Sequence, residues 1–530
     1  MGRFFTSKTS PDDHRFSSNA DMARRYRVRT LLVCVILQCV LYGLNLKLLP
    51  MWGDETFTVD RGAETPVRII ETVREDIHPP LYFLLARWWT HVPIGSDPLV
   101  RLRALSVLFA ILTTVFIDRH WLHDAPKNLR NWFLLFWTFS PCLLLYGRMA
   151  RSYSMQIFFA AVAIWYLLRW VEDANGWKNL AAFVAALTVL LYTHYLPGIA
   201  VWAGANLLLV MRLRRRRSIW KTWLLPNVLV VILYLPWLIA LIGALGQWRH
   251  TQAYSLIGNP WVEQLLKLCS WFYSFTFGES VPIWLLPVTL VLALPCLWLL
   301  VSGARSGRDW RWPTFLAAAL AFLGATRWVS YPFMGARLLF LLPLFLLTLA
   351  AGVTTKGRVG TILGVILLAV NLAGLWAYYD GRDILNAGYL VPSQRIATDI
   401  VLHSRGEGTV VWIDELSFDG SALEYYLPKD FRIRWLTSPE SVGAARAELS
   451  ASSIRHVWFV RSSRDISPGH IFEKLESQMM QKCSQHTLYS YVPFSPVHLA
   501  VLRVMALLRH QDESQPRRYL CEVWEFQDPQ

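Results

Sequence analysis

Acidic residues are scarce in this chain. Asp and Glu number 37 against 52 Lys and Arg in 530 residues, a formal net charge of +15. Metal-binding cysteine patterns are missing as well: the seven cysteines show no ligand spacing, so a thiolate metal centre is not expected. Cys34, Cys39, Cys142 and Cys296 sit in apolar runs and read as small hydrophobes. Cys483 and Cys521 lie in a polar region, where a disulfide is open to them if that region is outside the cytoplasm. No repeat of solenoid period occurs, which excludes a stacked-repeat architecture. The first apolar run lacks a small-residue cleavage site and reads as an uncleaved signal anchor.

What the chain has in quantity is apolar surface. Hydrophobic residues make up 54% and aromatic residues 14%, with 26 Trp and a mean hydropathy of +0.33. The excess lies in long runs, so the chain reads as a polytopic α-helical membrane protein. In such a chain a basic excess marks cytoplasmic loops and anionic headgroups, and nucleic acid is not expected as a partner.

A polar tail, residues 1–29, precedes the first run, Thr30–Leu49. Further runs are Leu102–Ile117, Trp132–Tyr146, Ser152–Val171, Leu180–Tyr195 and Pro197–Met211. Trp223–Leu245, Val281–Val301, Thr314–Trp328, Leu338–Val353 and Thr361–Tyr379 complete about eleven expected spans. The segment His78–Pro93, "HPPLYFLLARWWTHVP", is apolar but short. Counting it as a crossing would put the basic loop Arg212–Lys221 outside, against the positive-inside bias, so it is read as an interfacial helix.

Four outer-face elements follow from that parity: Pro50–Val100, Tyr146–Met155, Gly246–Ser280 and Arg327–Arg337. The transmembrane region is bounded at residues 30–379, with the chemistry expected in its first outer loop, 50–100. Residues 380–530 lose the apolar runs. They carry β-rich pieces at 409–413, 431–436, 455–460 and 521–526, with helix-like stretches Pro439–Ser450 and Ile471–Gln481. This alternation predicts a small α/β domain, extracytoplasmic by the same parity.

Two adjacent acids, Asp54 and Glu55, leave the first span at the outer face. A carboxylate near lipid sees a lower effective dielectric than one in open water, which favours a base; ordinary solvated loop charge accounts for the pair equally well. His78 closes the same loop as a turn residue or a ligand-facing group. Arg148, Arg151 and Tyr153 lie in the second outer element, His194 ends another run, and Arg337 begins one. Such arginines either snorkel to headgroups or clamp the phosphate of one specific lipid.

The ordered motifs "MWGDETFTV", "HPPLYFLLARWW", "VRLRALSVLFAI", "SPCLLLYGRMARSYSM", "YTHYLP" and "ARLLFLLPL" resemble the integral-membrane GT-C glycosyltransferases. That group includes the dolichyl-phosphate-mannose protein mannosyltransferase superfamily and bacterial polyprenyl-phosphate sugar transferases, with the lipid A aminoarabinose transferase a more distant relation. The resemblance covers about Leu31 to Leu347. It implies inverting transfer of a sugar, hexose or pentose, from a polyprenyl-phosphate donor to a lipid, glycan or protein acceptor. The expected setting is the outer face of a bacterial inner membrane.

Asp54 matches the family's base in the first outer loop, and Glu55 the second acid that positions it or the acceptor. His78, Arg101 or Arg103, and Arg337 match positions implied to meet donor or phosphate. Leu338 stands where the family has Tyr after that Arg, and the second outer element lacks the acid some relatives carry. A divalent metal is therefore poorly supplied, and catalysis without metal or other cofactor is expected. The alternative class is a transporter or flippase of lipid-linked saccharide, which would place its charges at mid-membrane rather than at one face.

Overall fold

The computed structural model describes residues 11–75, 78–172, 176–213, 219–248, 260–306, 335–381, 384–385, 392–404, 408–414, 420–450, 454–462, 471–491, 496, 499–500 and 521–529. Seven helices among them are long and apolar enough to cross a bilayer, and the chain is a multi-pass membrane protein.

The first helix, α1 (Pro11–Gly43), presents Leu32, Val33, Ile36 and Val40 outward, as a lipid-facing stripe should. Three short helices follow: α2 (Gly53–Ala63), α3 (Pro66–Glu75) and α4 (Leu81–Trp89). The last falls in the segment expected to lie at the interface. At about 1.5 Å per residue its nine residues reach far less than a bilayer core. Tyr82, Phe83 and Ala86 are buried on its protein side while Trp88 is exposed.

Helix α5 (Pro98–Phe116) starts with Asp97 capping the Leu99 amide at 2.8 Å and ends in a π turn, Ile117–Trp121. The expected single span Trp132–Tyr146 is two helices, α6 (Lys127–Thr138) and α7 (Pro141–Gly147). Ser140 accepts from the Leu143 amide and Pro141 opens the new helix, a start signal strong enough to break the run.

Helices α8 (Tyr153–Glu172), α9 (Trp177–Thr193), α10 (Tyr195–Leu213) and α11 (Ile219–Trp248) follow. Helix α12 (Pro260–Phe277) occupies most of what the sequence suggested as an outer loop, 246–280. Helices α13 (Leu286–Ser306), α14 (Leu342–Thr355) and α15 (Gly357–Asp380) are the remaining long helices of the bundle among the described residues. The expected span Thr314–Trp328 lies outside the described residues. Helices α13 and α14 cross at backbone contact. A Cβ on Gly303 would lie 1.9 Å from the Thr348 carbonyl oxygen, and one on Gly352 would lie 2.0 Å from that of Leu299.

The C-terminal portion is an α/β domain with a five-stranded sheet in the order β2-β1-β3-β5-β4. The strands are β1 (Thr409–Asp414), β2 (Arg432–Leu436), β3 (His456–Ser462), β4 (Cys483–Tyr491) and β5 (Cys521–Pro529). Strand β1 runs parallel to β2 and β3, and β5 is antiparallel to β3 and β4. Helices α16 (Ser393–His403) and α17 (Gly420–Tyr426) cover one face of the sheet. Helices α18 (Pro439–Ser450) and α19 (Ile471–Lys482) cover the other. Val410 and Trp412 face one layer and Val411 and Ile413 the other, which is why β1 reads as a continuous apolar run.

Strand β4 was not legible in the sequence because it is an edge strand with an exposed, polar face. The register also excludes the Cys483–Cys521 disulfide. Cys483 pairs with Pro529 and Cys521 with Tyr491, at opposite ends of the ladder. Their α-carbons are therefore roughly 25 Å apart at strand spacing, far beyond disulfide reach.

Candidate active site

The turn leaving α1 exposes the carbonyls that end any helix, and two buried arginines collect them. Arg103, from α5, donates Nη1 to the Leu46 and Leu49 oxygens and Nη2 to that of Pro50. Arg148, after α7, donates Nη2 to the oxygens of Leu44 and Asn45 and Nη1 to the Tyr379 hydroxyl at 3.0 Å. Asn45 adopts φ of +44°, the left-handed conformation that turns the chain here.

Helix α2 starts at the end of this turn, and its first residues set the site. Glu55 Oε1 accepts from Arg103 Nε at 2.9 Å and from the Ala150 amide at 2.7 Å. Its Oε2 accepts from Arg103 Nη2 at 2.6 Å and from the Trp52 amide at 3.1 Å. Four donors saturate this carboxylate, which is 1% exposed. Glu55 and Arg103 thus spend these polar atoms on each other and on the backbone, inside the protein. Arg101 donates to the Thr90 and Gly95 oxygens and closes the end of α4.

Asp54 has a different environment. Its side chain is 40% exposed, and its Oδ2 lies 3.9 Å from Nη2 of Arg151, which is 6% exposed. Arg151 Nη1 donates to the Asp54 carbonyl oxygen at 3.0 Å, and Nη2 meets His78 Nε2 at 3.0 Å. A guanidinium only donates, so His78 accepts at Nε2 and carries its ring proton on Nδ1. Burial depresses the Arg151 guanidinium, but Asp54, Tyr153 and Tyr82 together outweigh it and hold the group above its ordinary value.

Phe57 and Phe83 stand on the His78 ring at centroid distances of 5.8 and 6.1 Å. Tyr153 is buried with its ring edge-on to Tyr146 at 5.6 Å. Burial pushes the Tyr82 hydroxyl up, so it stays protonated beside the cluster. Asp54, His78 and Arg151 are thus brought together from three separate segments.

His194 lies at the end of another helix. It is buried at the α9–α10 junction, where its Nδ1 accepts from the Leu196 amide at 3.3 Å. The Arg337 side chain lies outside the described residues; its backbone belongs to a 3-10 helix, Gly335–Leu341, in which Leu338 is buried. Sequence reading missed Glu279, a buried acid accepting from Tyr146 at 2.5 Å and Ser274 at 3.0 Å. A Cβ on Gly335 would lie 3.1 Å from its Oε1, so Glu279 borders the Arg337 segment. The signal was a lone acid in "FTFGES", passed over because that stretch was read as loop. Among the described residues no group of three or more His, Cys, Asp or Glu is arranged to hold a metal. A cavity of about 750 Å³ near His120, Arg169 and Thr355, at the opposite end of the helices, contains none of these residues.

No sequence-family profile and no curated protein sequence matches the chain. Solved structures do. ArnT from Cupriavidus metallidurans in the apo state superposes with a TM-score of 0.52 at 11% identity, covering 94% of this chain and 98% of ArnT. ArnT bound to undecaprenyl phosphate gives 0.50 at 12%, covering 93% and 97%. The chain has the GT-C fold. Within it, the likeness extends over bundle and C-terminal domain alike, beyond the part of the chain that carries the sequence motifs.

Proposed function

We propose that this GT-C chain transfers a sugar from a polyprenyl-phosphate donor to an acceptor hydroxyl, at the membrane face where Asp54 lies. The observation that carries the reading is the contrast between neighbours: Glu55 is sealed, while Asp54 stays partly exposed beside buried Arg151. The ArnT structure holding undecaprenyl phosphate supports a lipid-phosphate donor.

In the proposed reaction Asp54 accepts the acceptor's hydroxyl proton. The freed oxygen attacks the anomeric carbon with inversion, and the bond from that carbon to the phosphate oxygen breaks. The electron pair leaves with the lipid phosphate, opposite the fixed positive charge of Arg151. His78 holds Arg151 by accepting from it. Arginine supplies the charge in this scheme, so metal-independent catalysis remains part of the proposal. The same scheme assigns the face to the exterior of a bacterial inner membrane. Sugar and acceptor would be named by mass analysis of envelope glycans and lipids from cells with and without the gene.

The direct test is Asp54→Asn in the purified full chain. Transfer of labelled sugar from polyprenyl phosphate should fall by about 10²- to 10⁴-fold with membrane insertion and abundance unchanged. Transfer at the wild-type rate removes Asp54 from the base role.

A further inference from the structure

Among the described residues, the C-terminal domain meets the Asp54 segment through α17. Ala422 of α17 is buried with Met51, Ala86, Leu99, Leu102 and Ala150, a cluster shared by the domain, the Asp54 loop and α5. Two consecutive tyrosines flank it, with rings nearly perpendicular at 84°. The Tyr426 hydroxyl accepts from the Met51 amide at 2.7 Å, three residues before Asp54. The Tyr425 hydroxyl donates to Asp97 Oδ1 at 2.7 Å. Asp97 in turn caps α5 through the Leu99 amide and pairs with Lys47 at 2.5 Å. Helix α5 carries Arg103, which grips Glu55. One tyrosine therefore holds the backbone entering α2. The other holds the start of the helix whose arginine fixes the residue next to Asp54.

We propose that Tyr425 and Tyr426 are positioning residues, through which the C-terminal domain sets where Asp54 stands relative to Arg151. The inference rests on the transfer reading above. The C-terminal domain thereby becomes part of the catalytic geometry. A displacement of about 1 Å at a base is enough to slow a positioned reaction by up to about 100-fold.

The test uses the full chain in lipid nanodiscs with Tyr426→Phe, Tyr425→Phe and the double variant. Phenylalanine keeps each ring in the cluster and removes only the hydroxyl. Hydrogen exchange over residues 50–57 should quicken by about 3- to 10-fold in Tyr426→Phe. In the double variant kcat should fall by about 10-fold or more, with KM for the polyprenyl-phosphate sugar unchanged. Unchanged exchange, or faster exchange with wild-type kcat per folded molecule, overturns the proposal and leaves the tyrosines as packing. If the wild-type chain transfers no sugar, the functional reading fails, while the exchange arm still reports whether the tyrosines hold the loop.

Discussion

Glu55 and Arg103 meet as a buried bidentate pair, Nε to Oε1 at 2.9 Å and Nη2 to Oε2 at 2.6 Å. The pair joins α2 to α5 and, through the Ala150 amide, to the segment that carries Arg151. Removing one partner strands the other charge away from water. Glu55→Ala should therefore cost about 3–5 kcal/mol, seen as a large fall in Tm and in folded yield. The double replacement Glu55→Leu with Arg103→Met should recover part of that loss. A Glu55→Ala protein with wild-type Tm would contradict this assignment.

Arg151 and Arg148 are two buried arginines only three positions apart, and they should fail differently. Arg151→Gln removes the charge facing Asp54 and the donor to His78, and kcat should drop by about 10²- to 10³-fold. Arg151→Lys keeps the charge but not the fork that reaches both partners, so its activity should fall between. Arg148→Gln should mainly lower Tm, because the Leu44 and Asn45 carbonyls lose their donor. Steady-state kinetics beside thermal melts separate the two, and a kinetic defect confined to Arg148→Gln would reverse the assignment.

The α13–α14 crossing tolerates no side chain at Gly303 or Gly352. Either Gly→Ala change forces the helices apart and should destabilise the chain by a few kcal/mol, roughly the cost of an overpacked core. Activity per folded molecule should survive, since Asp54 lies at another part of the bundle. Melting curves and active-fraction assays in the same preparation check both halves.

Acid should loosen the domain contact. Burial pushes the Asp97 carboxyl up, but Lys47 and the Tyr425 hydroxyl outweigh it and hold it below the usual carboxylate range. A depressed folded value means the ionised form is favoured by folding. Its contribution is full above the unfolded value of about 3.9 and is lost as pH falls through the lower folded value. Near neutral pH the contact should be insensitive to pH. Tm measured from pH 6 downward should show an acid limb that Asp97→Asn flattens, and an unaltered limb in that variant would rule Asp97 out as its source.

Much of the fold was legible because its signals are local. The runs that became α8, α14 and α15 needed only length and hydropathy, and β1 announced its double burial as "TVVWI". Local patterns failed where the deciding partner was distant. Strand β4 is polar because it lies at a sheet edge. The α6–α7 break did carry a local signal, the Ser140 cap with Pro141, set inside an apolar run.

By itself the sequence determined that the chain is a multi-pass helical bundle with an α/β domain, and that two acids and several arginines flank its membrane spans. It could not divide labour between Asp54 and Glu55, because adjacent residues of one helix point about 100° apart. Which direction meets water and which meets Arg103, 48 positions along the chain, depends on how α2 packs against α5. The same holds for the arginines. Every guanidinium carries the same charge and fork, so tertiary packing alone decided that Arg103 and Arg148 hold backbone carbonyls while Arg151 faces Asp54.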